Sequence, residues 1–117
     1  MRLHPLYLLL GAVALAGCAT APAPLEQMRL SDQAVDQARA IGATEDTAEF
    51  KLAVDKMAQA RANVADQAYK QARLNAEQAE LDARLAEAKV LTQKSQDQLT
   101  LANTRIDRLR KQLQEAK

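Results

Sequence analysis

The hydrophobic pattern changes character three times along the chain. Leu6 to Leu15 is an unbroken apolar run of about ten residues behind a single cation at Arg2, the length of a secretory h-region rather than the ~20 residues a bilayer span requires. Residues 1–17 are therefore expected to be an export leader. Ala19 to Pro24, with two prolines and no charge, predicts an extended spacer of up to ~3.1 Å per residue. From Leu25 onward the apolar positions follow helical spacing. Leu25, Met28, Val35, Ala38 and Ile41 share one face, and Gly42 supplies the left-handed conformation that closes a helix. Asp46, followed three residues later by Glu49, has the form of a capping box ahead of a second face, made by Phe50, Val54, Met57, Ala60 and Val64. Helices are thus expected at about 25–42 and 46–65, the second packing back on the first as a hairpin.

The remainder, about 67–117, contains no Gly or Pro. It predicts a third helix on the order of 75 Å long at 1.5 Å per residue, with Asp66 as a cap if the chain breaks there. Two stripes run along it. Tyr69, Ala72, Ala76, Ala79, Ala83, Ala86 and Val90 form a nearly all-alanine seam that permits close helix approach while burying little area, and it is assigned to the hairpin. A second register runs from Leu81 and Leu85 through Ala88, Thr92, Ser95, Leu99, Ala102, Ile106, Leu109, Leu113 and Ala116, on a different side. The hairpin is too short to cover it. Leu99, Ile106, Leu109 and Leu113 are therefore the candidate partner-binding residues, for a second copy or for another protein. With Leu99 at an a position, a parallel homodimer would face Glu77 with Asp82, Arg84 with Lys89 and Arg105 with Arg110, all repulsive. Antiparallel pairing, a trimer or a heterologous helix remains. The alternative without a partner is a solvated helix supported by internal pairs such as Asp107 with Lys111.

The fold class expected is all-α: a helical hairpin followed by a long third helix with coiled-coil character, all in residues 25–117. Composition agrees, since 48% hydrophobic with only 3% aromatic residues suits long alanine-rich helices better than a sandwich or barrel. The balance of 16 Lys and Arg against 15 Asp and Glu gives no overall attraction to phosphate, so nucleic acid is not an expected partner. Catalysis is not expected either. The one histidine, His4, lies in the leader and the one cysteine is Cys18, leaving no imidazole or free thiolate for a metal, a cofactor or a nucleophile.

Leu15-Ala16-Gly17-Cys18 resembles the bacterial lipobox. The resemblance implies that Cys18 is lipidated and becomes the first mature residue, held by several acyl chains at ~0.8 kcal/mol per buried methylene. Ordinary cleavage after Ala16 would instead leave a lone thiol in an oxidising compartment. Ala19 rather than Asp after the cysteine implies an outer-membrane location facing the periplasm. The run "AVDQARAIGA" at 34–43, then Ala48 to Lys89 with Tyr69 and the Ala79 to Ala88 segment, resembles the alanine-rich lipoprotein module of domain of unknown function family 4398. A structural or adaptor role in the cell envelope is the expectation. The combination of Cys18, alanine-rich helix and terminal Lys117 is also similar to the murein lipoproteins, which implies a rival role: covalent attachment to peptidoglycan through Lys117. A cationic helix end that complements its dipole accounts for that lysine equally well.

Overall fold

The computed structural model describes residues 21–116; Cys18 and Lys117 lie outside them. Three helices follow one another: α1 (Leu25–Ile41), α2 (Ala48–Ala65) and α3 (Tyr69–Glu115, 47 residues). The all-helical class is as expected, and the third helix is by far the longest.

Each break has a local cause. Gly42 takes φ 112, and the Gly42 and Ala43 amides donate back to the Arg39 and Ala38 carbonyls, a Schellman closure that also buries Ala43 beside Ala38. The same closure recurs at the second break without a glycine. Gln67 takes φ 59, its amide reaches Val64 O, and the Ala68 amide reaches Asn63 O at 2.8 Å. Asp66 consequently ends α2 instead of capping α3, and α3 starts at Tyr69, two residues later than the pattern predicts. The start of α2 also differs: it begins at Ala48 behind an extended Thr47, and no side chain caps it. Glu49, expected in a capping box with Asp46, accepts instead from Lys89 of α3, because an ion pair between helices competes for the same carboxylate. A left-handed glutamine is strained by its Cβ, so Gln67→Gly should raise the unfolding free energy by about 0.5–1 kcal/mol, read as a higher midpoint in a thermal melt.

Paired residues give the directions. Gln27 meets Glu80, Gln37 meets Glu87 and Lys94 meets Ile41, so α1 runs parallel to α3. Glu49 with Lys89 and Lys56 with Asp82 make α2 antiparallel to it. The first two helices do sit side by side, joined by Arg61 to Asp32 and by Arg39 lying 5.5 Å over the Phe50 ring. Their principal packing partner, however, is α3. The alanine seam explains this: Ala72, Ala76, Ala79, Ala83 and Ala86 are fully buried, so backbones approach closely and α3 presents little bulk to either neighbour. Into that seam α1 inserts Ser31, Val35 and Ala38, and α2 inserts Phe50, Ala53, Met57 and Ala60. Leu25, expected on the buried face of α1, is 70% exposed at the helix start. Ser31 fills the gap in that face's spacing. Its hydroxyl lies 2.7 Å from Ala76 O and 2.8 Å from Gln27 O, satisfied while small enough for close contact.

Candidate functional site

The contact between α1 and α3 ends at Lys94, whose ammonium donates to the last carbonyl of α1, Ile41 O. That is a cation at the negative end of a helix dipole. From Leu91 on, every residue of α3, and Ala116 after it, is exposed. At 1.5 Å per residue, some 22 residues project about 33 Å past the bundle.

The four candidate residues all lie on this projection: Leu99 is 64% exposed, Ile106 45%, Leu109 58% and Leu113 70%. They form one stripe at alternating steps of seven, three and four. The stripe does not begin at the projection. Leu81 and Leu85 continue it along the bundled half of α3 and are also exposed, because the bundle occupies the opposite, alanine face. Leu74, one heptad before Leu81 and likewise exposed, extends it by another step that the sequence reading missed. The signal was the seven-residue interval itself.

One polar group on the stripe, the Thr92 hydroxyl, is already satisfied within the helix. Thr92 Oγ1 donates to Ala88 O at 2.8 Å, and Thr100 and Thr104 bond back in the same way. A partner can therefore cover Thr92 without stranding a donor. The ion pair observed in this region joins Arg110 to Asp107 at 3.7 Å; Lys111, the predicted partner of Asp107, is not in it. Charge is divided along the molecule in a way the net value hides. Residues 25–90 hold nine Lys and Arg against twelve Asp and Glu, whereas residues 91–117 hold six against three.

Nothing else in the described residues competes as a site. They contain no cluster of metal-ligating side chains, no helix long and apolar enough to cross a membrane, and no buried side-chain polar atom without a partner. A hollow between α1 and α3, lined by Leu30, Ala34, Gln37, Arg84 and Glu87, measures about 130 Å³, and a shallow, open one on the projecting part of α3, beside Thr104, Asp107, Arg108 and Lys111, about 290 Å³. Ligand pockets usually start at about 300 Å³.

The carboxylates that hold the bundle together are tuned by its cations. Glu80 is held below the usual glutamate range chiefly by its hydrogen bonds from Arg84 and then Gln27, and Glu49 by its bond from Lys89. A lowered folded pKa contributes stability that is complete above the unfolded value of about 4.3 and is lost as pH falls through the folded value. Thermal midpoints should thus stay level from pH 7 to pH 5 and drop below about pH 4.3. Glu80→Gln should flatten the acid limb of that curve.

A small three-helix module, zipped through alanines and extended by one helix that keeps an apolar stripe in solvent, is the class these features define. The chain belongs to domain of unknown function family 4398, DUF4398, whose model matches residues 26–102. A DUF4398 family protein from Pseudomonas aeruginosa PAO1, solved by crystallography, is 64% identical, with a TM-score of 0.80 over 82% of this chain and 100% of its own. No curated protein matches.

Proposed function

We propose that this protein is a lipoprotein of the outer membrane, facing the periplasm, with a structural or adaptor role exercised through helix pairing. The observation that carries the docking role is the apolar stripe from Leu99 to Leu113 on a helix that has outrun its own bundle. Leaving such side chains in water forgoes about 1.5–3 kcal/mol each relative to full burial. The anchoring half of the proposal rests on the Leu15-Ala16-Gly17-Cys18 sequence and the Pro-Ala spacer after it. No catalytic role is proposed. Cys18→Ser should abolish acylation and release the chain from the membrane fraction. Mass analysis of the mature N-terminus, together with fractionation, checks this, and normal processing and sedimentation of the variant would overturn the anchoring reading.

One observation favours the rival role. Because α1 and α3 are parallel, the spacer enters at the end of the rod opposite the projecting tip, and Lys117 follows that tip. From the level of Glu80 to Ala116 the chain spans about 54 Å, so an upright rod would carry its tip well away from the leaflet. Peptidoglycan washed in hot detergent should retain the protein if Lys117 is covalently joined to it. Deletion of Lys117 should then free it.

A further inference from the structure

We infer that the stripe on α3 docks a second copy of the same stripe, antiparallel, about a two-fold axis that passes α3 at residue 97. The inference deepens the docking reading above and is independent of the lipid anchor. Three observations point to it.

The first is layer matching. Pairing about residue 97 sets Leu81 against Leu113 of the second copy, Leu85 against Leu109, and the small Ala88 against the large Ile106, each layer occurring twice. Six large apolar side chains from each copy, all 45% exposed or more, are covered along about 50 Å of helix.

The second is charge. In this register the flanking positions face Asp82 with Arg110, Arg84 with Gln112, Leu91 with Arg105, and Lys89 with Asn103. There is no like-charge pair. Sliding one copy by a heptad in one direction faces Arg84 with Arg105, and in the other Lys89 with Arg110, each repulsion counted twice. The cationic projection of each copy also lies along the acidic bundle of the other, whereas parallel packing would set the two projections side by side.

The third is room. The bundle occupies α3 up to Lys94 and lies on the face opposite the stripe. About the axis at 97, Lys94 of the second copy aligns with residue 100. The two bundles thus occupy successive stretches of the rod, separated by about six residues or 9 Å.

Two anchored copies paired in this way have the starts of α1 about 55 Å apart at opposite ends, so the rod lies along the leaflet. An upright wall tether and this dimer are therefore alternatives.

Photo-crosslinking of the full chain tests the pairing, with a benzophenone amino acid placed at Gln98 or at Gln112 and isotopically mixed copies in detergent at micromolar concentration. Gln98 should link to the neighbourhood of Gln98 of the second copy, and Gln112 to that of Arg84. Leu109→Asp should weaken dimerisation at least 100-fold in native mass spectrometry while leaving the helix content of the dilute monomer unchanged in far-ultraviolet circular dichroism. A monomer at that concentration, or a parallel pattern linking Gln112 only to residues near 112, would overturn the inference. So would preferential capture of a different protein on the same stripe in cells, an outcome that leaves the docking reading standing.

Discussion

Phe50→Ala should lower the unfolding free energy by about 3–4 kcal/mol, close to the whole stability of so small a bundle, and leave much of the chain unfolded at 37 °C. Phe50 is the one phenylalanine, 3% exposed, and it sits beside Met57 in a core otherwise built almost entirely from alanine. Alanine neighbours cannot lean into the space that a lost ring leaves, so the cavity term is kept nearly in full. The Arg39 guanidinium over its face loses its partner as well. Denaturant melts followed by far-ultraviolet circular dichroism measure the loss. Phe50→Leu, which restores most of the volume, should recover more than half of it. A loss below about 1 kcal/mol for Phe50→Ala would mean that the bundle is not packed as described.

Ala83→Leu should cost about 3 kcal/mol by the opposite route. Ala83 is fully buried in the seam where α3 touches both other helices, and each added methylene must push them apart. The ion pair of Lys56 with Asp82 at 2.6 Å, one residue away and largely shielded from solvent, loses its geometry with the spacing. The same substitution at Ala102, on the exposed stripe, should leave the melt of the bundle unchanged. Urea titration of the two variants side by side separates the alanine face that closes the bundle from the face left for a partner. Equal effects would contradict the assignment of the two stripes.

Those two faces show how far periodicity carries. The assignment of the alanine register to the bundle and the leucine register to the outside needed only the steps of three and four from Tyr69 to Val90 and from Leu81 to Ala116. The structure buries and exposes them accordingly. Pattern reading faltered where the deciding contact is distant in the chain. Glu49 has the right spacing from Asp46 for a capping box, yet Lys89, forty residues on, takes its carboxylate. Asp66 has the residue type of a helix start, yet the left-handed turn at Gln67 makes it a helix end. No local propensity signals that turn, since glutamine does not favour positive φ.

By itself, the sequence determined that the chain is helical, which face of α3 is small and which is large, and that α3 outruns its neighbours, because all three follow from side-chain spacing and length along a single helix. Only the tertiary structure decided that α1 and α2 meet chiefly through α3, that the spacer enters at the end opposite the tip, and that the leucine stripe stays open from Leu74 onward. Those depend on how close two backbones can come, a property of pairs of helices that no one helix contains.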